Sequence, residues 1–526
     1  MSCTIRTVDR RAVAIAFGVI GAVVLASCSS PPASNEAAGE IDRTATLRVA
    51  GNVVPNNLDP HQSGNYQIDF PFLSPVYDRL TQAVSGPEIV PMVAQSWLFS
   101  DDGRSVDFSL RGDATFHDGT PVDAAAVVAS LNRARDPQRS KVAGRFDMIS
   151  GIEAIDDTTV RIGTNRPAMD LPAALSTTEG AIVNVKAIES GLDINTTGAG
   201  SGPYEFDQVR PGDRITYTRH DGYWDPEAQK PARLELIGIA DDNSRLNAFR
   251  SGQVDAVKVD PDQYHELGNI LAQPGFKFHE YPTVQSYAIQ LDIGTPGLAD
   301  PRVRQALNYA IDREGINSAL LDGKCAPLSQ PLPVGVDGHD TTRTNRYTYD
   351  PGKARALLRE ANASPDLTIR VINVAGASPQ QEMATAVQAQ LADVGVKVVL
   401  QPIPAVDAQS TFRKGGYGLL NSRLAYPIPG QSLMLNYMAD YRFPTPPSAE
   451  FSDTVFQSMD PSISDSDRTS LYVQASAIAA DDAYDVFICG VPTMVAYSSK
   501  TVGMDSLGQS DFTSIFDLRY AGVTTS

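Results

Sequence analysis

The side chains best suited to acid–base or metal chemistry are the histidines, which are scattered along the chain: His61, His117, His220, His265, His279 and His339. No two of them have the short, regular spacing that marks a zinc-binding pair. His117 lies in a segment, Phe116-His117-Asp118-Gly119-Thr120-Pro121, that indicates a turn before a helix. A catalytic or metal-binding role for His117 would need a second ligand nearby, and the sequence has none at a suitable spacing. We therefore interpret it as a packed, hydrogen-bonded histidine.

Other catalytic signatures are missing from the sequence. It contains no Gly-x-Ser-x-Gly nucleophile elbow, no phosphate-binding P-loop and no paired metal motif. A triad assembled from distant serines and acids has nothing in its favour. The sequence therefore predicts a protein that is not an enzyme and that uses no metal or other cofactor.

Residues 1–27 have the features of a secretory signal. Arginines precede an uncharged apolar stretch over residues 12–26, which is shorter than the roughly 20 residues that a membrane-spanning helix needs. The stretch ends in Leu25-Ala26-Ser27-Cys28, which resembles the lipobox of bacterial lipoproteins. The resemblance implies cleavage before Cys28 and lipidation of its thiol; the alternative is an ordinary signal peptide followed by an incidental cysteine. A pair of adjacent arginines leaves the export route, Sec or twin-arginine, open.

The chain that follows the signal is large, acidic and poor in cysteine. Residues 28–41 are rich in small and polar residues and predict a flexible tether. A body of about 500 residues predicts two or three domains. The whole chain has 43 basic and 62 acidic residues, a net charge of −19, which argues against nucleic acid as a partner. Cys325 and Cys489 either pair, as cysteines outside the cytoplasm do, or are buried separately.

Strand and helix patterns alternate along the body. Residues 106–110 and 214–218 alternate apolar and polar side chains, as half-buried strands do. Asp300-Pro301, Asp350-Pro351 and Ser378-Pro379 each place a capping residue before a proline, which predicts three helix starts. Strands interleaved with helices predict an α/β fold with mixed sheets.

The most specific motif in the chain is PMVAQSWLFSDDGRSVDFSLRGDATFHDGTPVDAAAVVASLNR, over residues 91–133. It resembles the signature of the ABC-transporter extracellular solute-binding proteins of family 5, the peptide, dipeptide and nickel class. Further matches follow in the order of the family: Leu58-Asp59-Pro60, Gly202-Pro203-Tyr204, Gly222-Tyr223-Trp224, and residues 246–255, 302–312, 349–354 and 391–397. The resemblance covers residues 45–500.

The resemblance implies a two-lobed periplasmic-binding-protein-like fold of type II, with an extra subdomain in lobe I. It places the domains as follows: lobe I at 42–282 with its subdomain at 64–190, lobe II at 283–490, and a C-terminal return to lobe I at 491–526. It implies a monomer that closes on a small-molecule or peptide ligand and is read by ABC permease subunits. With the anchor at Cys28, we expect the protein on the extracytoplasmic face of the cell membrane.

The residues that hold peptides in the family are not all present. In peptide-binding members a segment of lobe II carries a tryptophan and then an aspartate that receives the peptide's ammonium group. Ser422 stands at the tryptophan and Ala425 at the aspartate, and the sole charge between Gly415 and Ala439 is Arg423. An unpartnered member of a buried ion pair costs on the order of 3–5 kcal/mol. We therefore expect ordinary free-amino peptides not to be selected through this position.

Arg423 has two interpretations. Its planar guanidinium could face the cleft and pair with a carboxylate, phosphate or sugar hydroxyl of the ligand, or it could be a solvated loop residue. Other ligand-binding candidates follow from family position: Ser422, Tyr426, Asn65, Tyr66, Ser201 and Ser378. The leading hypothesis is a lipid-anchored receptor for an ABC importer. Two alternatives are an envelope lipoprotein that regulates or scaffolds without transport, and a receptor for nickel or a metallophore.

Overall fold

A computed structural model describes residues 39–63, 66–84, 88–281, 285–375, 377–423, 426–438, 444–507 and 517–525. Cys28, Asn65 and Ala425 lie outside these ranges. The described residues belong to one unit, which spans Gly39–Ser526. They contain 21 strands, 14 α-helices and several short 3₁₀ helices.

The first strands in chain order are β1 Thr46–Gly51, β2 Thr81–Ala83, β3 Ile89–Pro91, β4 Ala94–Phe99, β5 Ser105–Leu110, β6 Ile149–Asp156, β7 Thr159–Thr164, β8 Tyr204–Arg210, β9 Arg214–Arg219, β10 Arg233–Gly238, β11 Ala256–Val259 and β12 Phe276–Tyr281. The remaining strands are β13 Ser286–Leu291, β14 Ala326–Pro327, β15 Thr368–Val374, β16 Lys397–Ile403, β17 Gly418–Arg423, β18 Asp485–Gly490, β19 Thr493–Ser498, β20 Thr501–Val502 and β21 Gly522–Val523.

The α-helices are α1 Tyr66–Leu73, α2 Ala124–Arg135, α3 Leu171–Ala174, α4 Val185–Glu189, α5 Asp242–Arg250, α6 Tyr264–Leu271, α7 Pro301–Tyr309, α8 Arg313–Leu320, α9 Pro351–Glu360, α10 Gln380–Asp393, α11 Ala405–Phe412, α12 Pro429–Tyr437, α13 Ala449–Ser458 and α14 Asp465–Asp481. The 3₁₀ helices are Pro60–Gln62, Ala143–Phe146, Thr178–Gly180, Pro226–Ala228, Pro261–Gln263 and Leu518–Tyr520.

Two large mixed sheets organise the fold. The seven-stranded sheet has the order β12-β19-β11-β1-β10-β9-β8, in which β1 runs parallel to β10 and β11 and the other pairs are antiparallel. The six-stranded sheet has the order β14-β18-β13-β17-β15-β16, in which β15 runs parallel to β16 and β17. The prediction of an α/β fold with mixed sheets is confirmed.

The chain crosses between the two large sheets twice. It leaves the seven-stranded sheet after β12 and enters the six-stranded sheet at β13; it leaves β18 at Gly490 and returns at Thr493 in β19. Each sheet has its own apolar core. Ile289 and Val486 are buried in the core of the six-stranded sheet, whereas Leu234 and Val495 are buried in that of the seven-stranded sheet. Separate cores joined by two connections are the arrangement expected of hinged layers.

A third, four-stranded sheet of order β4-β5-β7-β6 is inserted between β3 and β8 of the chain. Its strands alternate as the sequence predicts: Phe108 and Val160 are buried against a core that includes α2, whereas Asp107 and Arg161 form an exposed ion pair on the other face. The turn between β4 and β5 contains Gly103 at φ +65°, a conformation that glycine adopts without strain.

Two of the three predicted helix starts are confirmed. Asp300 and Asp350 accept hydrogen bonds from the backbone N–H groups at the starts of α7 and α9, at 2.8 Å each. The start predicted at Ser378-Pro379 is wrong by one residue, because α10 begins at Gln380, after Pro379, and has no side-chain cap. The Ser378 hydroxyl lies 3.1 Å from the Asp262 carboxylate instead of turning back to cap the helix.

A disulfide bond joins Cys325 to Cys489, with 5.3 Å between their Cα atoms. Cys325 directly precedes β14, whose Pro327 is paired with Cys489 in β18. The bond therefore fastens an edge strand of the six-stranded sheet to its neighbour, immediately before the second crossing.

Candidate ligand-binding site

The residue that the sequence singled out most strongly, Arg423, lies at the end of β17. Its backbone is paired with Ser286 of β13, and its side chain is only 6% exposed. Its guanidinium donates from Nη1 to the Asn436 carbonyl oxygen at 3.0 Å, and from Nη2 to Asp485 Oδ1. The interpretation of Arg423 as a solvated loop residue is wrong, because a buried carboxylate holds it at the end of a strand.

Asp485 is the acid that the sequence analysis missed. It begins β18 and is 1% exposed. Besides the ion pair with Arg423, it accepts a hydrogen bond at 2.5 Å from the hydroxyl of Tyr437 in α12. The Tyr437 ring also lies beneath the guanidinium of Arg423, 4.6 Å from its Cζ to the ring centroid. The three side chains form one buried cluster.

The charges of this cluster stabilise each other. Burial is the largest influence and disfavours the charged guanidinium, but the charges and hydrogen bonds of Asp485 and Tyr437 together outweigh it, so the pKa of Arg423 is raised above its ordinary value. Burial and the same carboxylate raise the pKa of Tyr437 well above its ordinary value. Arg423 is therefore a cation whose charge is already balanced within the protein.

A small cavity of about 20 Å³ adjoins the cluster, lined in part by Ser286, Arg423, Tyr426, Ser432, Asn436 and Asp485. This volume holds about one water molecule or one carbonyl group. Among the described residues, Nε of Arg423 has no hydrogen-bond partner. The cavity therefore combines a buried donor with neutral hydroxyl and amide groups and one balanced ion pair.

The cavity lies where the parts of the fold built on the two large sheets touch. Tyr426, three residues beyond β17, packs against Phe70 of α1, and both side chains are buried. Helix α1 is held on the seven-stranded sheet, since the Tyr217 hydroxyl of β9 donates to the Phe72 carbonyl oxygen at 3.0 Å. The Ser432 hydroxyl accepts from the Tyr426 backbone N–H at 2.8 Å and fixes the loop before α12.

A second contact joins the region of the four-stranded sheet to α12, α13 and α14. The Met169 backbone N–H donates to the Met459 carbonyl oxygen at 3.1 Å. Around it, Ala173 packs with Ile428, Met459 and Tyr472 in a buried apolar cluster. Parts of the chain that belong to different cores thus meet here as well.

The structure does not bring every candidate residue to the cavity. Ser201 is buried with its hydroxyl 3.2 Å from Asp78 Oδ2, and Ser378 is exposed. Tyr66 is the first residue of α1, and Ser422 pairs with Tyr287 across β13 and β17. Among the candidates whose side chains the structure describes, Tyr426 and Arg423 line the cavity.

The hydrogen bonds of His117 and His61 indicate structural roles for both histidines. His117 Nε2 donates to the Gly202 carbonyl oxygen at 3.0 Å, and its ring lies 4.9 Å from that of His220. The buried His61 donates from Nε2 to the Ala181 carbonyl oxygen and accepts at Nδ1 from Arg133. In the described part of the chain, no cluster of three or more His, Cys, Asp or Glu side chains is arranged to hold a metal ion.

Two large sheets with separate cores, joined by two crossings and touching beside a small polar cavity, define a binding-protein fold of the periplasmic type II class. Residues 88–442 match the family model of the bacterial extracellular solute-binding proteins, family 5. The chain belongs to this family. Its members are binding proteins of ABC transporters and not enzymes.

Relatives of known name agree with this assignment. The chain is 28% identical over 396 residues to the glutathione-binding protein GsiB of Shigella dysenteriae, covering 75% of this chain and 73% of that one. It is 30% identical over 319 residues to GsiB of Escherichia coli K12, covering 60% of this chain and 61% of the relative, which is less than two thirds of its length.

A solved structure supports the fold over nearly the whole chain. The periplasmic binding protein DppA of Helicobacter pylori, in complex with the peptide STSA, superposes with a TM-score of 0.81 at 21% identity and covers 92% of this chain and 98% of its own. Within the described ranges, no helix combines the length and apolar composition that crossing a membrane requires.

Proposed function

We propose that this protein captures a small peptide-like solute outside the cytoplasm and delivers it to an ABC importer by closing its two lobes. The observation that carries the proposal is the polar cavity beside Arg423 and Asp485, at the place where Tyr426 meets Phe70. A site formed between two layers suits a receptor, because a ligand that touches both layers stabilises only the closed arrangement.

The domain boundaries form part of the proposal. Lobe I comprises residues 42–282 with a subdomain at 64–190, lobe II comprises 283–490, and residues 491–526 return to lobe I. The two crossings, between β12 and β13 and between β18 and β19, lie at the proposed borders. Hinge motion at these crossings would separate Phe70 from Tyr426 and Met169 from Met459. The ABC permease subunits would recognise the closed form, in which these pairs are in contact.

The names of relatives suggest the ligand class. GsiB is named for glutathione, and DppA was solved with a tetrapeptide. Both ligands contain peptide bonds and polar ends. The neutral hydroxyl and amide groups of this cavity, together with a balanced ion pair, suit such a solute better than a metal ion.

The ligand can be identified on the protein purified under native conditions from its own host. Mass spectrometry of the intact protein and of the material released on heating should show a peptide-like solute. Added back, that solute should stabilise the protein against heat. If nothing co-purifies, and neither glutathione nor pooled di- and tripeptides stabilise the protein, the proposal is wrong.

A matched pair of variants locates the site. Arg423→Met removes the buried cation while keeping much of its length, and we expect the affinity for the co-purified solute to fall at least about tenfold, the loss of one charge-assisted contact. Arg413→Met removes an exposed arginine just beyond α11 and serves as the control. Equal affinities of the two variants would place the ligand elsewhere.

Attachment to the membrane through a lipid on Cys28 is the second part of the proposal. A receptor tethered near its permease remains available to it after each release. The tether expected at residues 28–41 would end at Gly39, because Glu40 and Ile41 are paired with Thr525 and Thr524 near the C-terminus. Cys28→Ala should move the protein from the membrane to the soluble fraction and abolish incorporation of labelled fatty acid. A variant that still fractionates with the membrane would exclude the anchor.

A further inference from the structure

The donors of Arg423 are not equally used. A guanidinium has five N–H bonds in a planar fork. Nη1 donates to Asn436 and Nη2 to Asp485, whereas Nε has no partner among the described residues, although the side chain is only 6% exposed. A buried N–H without an acceptor costs free energy that a ligand oxygen can recover.

The geometry points to a specific role for this donor, one that rests on the proposed function. We propose that the ligand places a neutral hydrogen-bond acceptor, such as the carbonyl oxygen of an amide, on Arg423 Nε, and that Asp485 excludes a free carboxylate from the same position. Asp485 is thus a specificity-determining residue, although the sequence offers Arg423 as an anion-binding group.

The size of the cavity fits this assignment. The volume of about 20 Å³ leaves room for one small polar group beside Nε; an amide and a carboxylate are nearly the same size, so charge and not size must distinguish them. The other polar side chains that line it, Ser286, Ser432 and Asn436, are neutral, so they can support an amide without adding charge.

The electrostatics favour a neutral group. The charge of Arg423 is balanced by Asp485, which the Tyr437 hydroxyl holds in place at 2.5 Å. A second carboxylate at Nε would share one guanidinium with Asp485 in a poorly solvated site, where like charges repel strongly. An amide carbonyl accepts the same hydrogen bond without that repulsion.

The test uses two small probes that differ in one group, propionamide and propionate. Binding to the purified protein is measured by NMR titration at constant ionic strength. We expect the wild-type protein to bind the amide at least about tenfold more tightly than the carboxylate. In Asp485→Asn the charge of Arg423 is no longer balanced, so the preference should disappear or reverse, and Arg423→Met should bind neither probe.

Each outcome decides the proposal. A wild-type preference for the carboxylate, an unchanged preference in Asp485→Asn, or no binding of either probe to the wild-type protein would overturn it. The wild-type comparison needs no variant, so it decides even if Asp485→Asn does not fold. If the role of Nε is wrong but the proposed function is right, the probe titration fails and a solute still co-purifies with the protein. If the proposed function is wrong, no solute co-purifies, so the two failures are distinguishable.

Discussion

Tyr426 and Phe70 are buried against each other although one follows the six-stranded sheet and the other lies in a helix on the seven-stranded sheet. Phe70 is 1% exposed and Tyr426 is 4% exposed. The ring of Phe70 also lies under the guanidinium of Arg79, with 4.7 Å between the ring centroid and Cζ. This contact helps to hold the Phe70 ring in place. The contact between Tyr426 and Phe70 therefore forms only when the parts of the fold built on the two large sheets are close together.

Phe70→Ala should favour separated lobes. Truncating a buried phenylalanine typically costs 3–5 kcal/mol, and here part of that loss falls on the closed arrangement alone. Spin labels at Leu98 and Val334, which are 74% and 70% exposed, would measure the distance between the four-stranded sheet and lobe II. We expect a longer and broader distance distribution in Phe70→Ala than in the wild-type protein.

The matched control is Tyr426→Phe, which keeps the ring that contacts Phe70. Its distance distribution should stay close to that of the wild-type protein. If Phe70→Ala gives the wild-type distribution with the same labels, the contact does not hold the lobes together.

Local signals in the sequence predicted much of the fold. Asp300 and Asp350 begin helices because a carboxylate before a proline satisfies the first free N–H groups, and this depends only on neighbouring residues. The motif order then identified the family and its α/β fold.

The candidate site could be predicted only in part, because its decisive contacts are not local. Arg423 and Asp485 are 62 positions apart and meet only because β13 brings β17 and β18 into one sheet. The sequence around Arg423 contains no acid, so its charge looks free until the sheet order is known. The role of Ser378 as a helix cap was predicted wrongly for a related reason. Its hydroxyl contacts Asp262, which follows β11 of the seven-stranded sheet and is far away in the sequence.

The buried His61 predicts a pH dependence of stability. Burial, followed by the charge of Arg133, lowers the pKa of His61 from 6.5 to about 4, while Asp59 opposes this shift. Between these two values the unfolded chain binds a proton that the folded chain excludes. The free energy of unfolding should therefore fall as the pH drops from about 6.5 to 4, by about 3 kcal/mol from this residue.

Urea unfolding across this pH range measures the effect. His61→Gln should remove that part of the slope, because the unfolded variant has no imidazole to protonate. His265→Gln changes an exposed histidine and is the control. If both variants keep the wild-type slope between pH 6.5 and 4, His61 is not the source of the acid sensitivity.

The disulfide between Cys325 and Cys489 closes a long loop of the chain, since the two residues are 164 positions apart. A cross-link of this kind restricts the unfolded chain and typically contributes 2–4 kcal/mol. The double variant Cys325→Ala/Cys489→Ala should lose about that much stability in urea, and reducing agent should lower the wild-type protein to the same level. Loss of stability on reduction of the double variant itself would show that the reagent acts elsewhere.

Substitution of Arg519 should have a large effect on stability. It is fully buried and bonds Asp78 at 3.0 Å and Asp517 at 3.1 Å, and Asp517 also pairs with Arg79 at 2.8 Å. These ion pairs attach the C-terminal segment to the buried residues Asp78 and Arg79. Arg519→Met would leave buried carboxylates short of positive charge, and we expect a loss of about 3–5 kcal/mol.

The control for Arg519→Met is Arg161→Met, which breaks the ion pair with Asp107 on the exposed face of the four-stranded sheet. Water replaces the lost partner there, so we expect little change in stability. Urea midpoints of the two variants, measured at the same pH and salt concentration, make the comparison. Similar midpoints would mean that the C-terminal segment contributes little to the folded state, whereas a large loss confined to Arg519→Met would show that the buried charges depend on this segment.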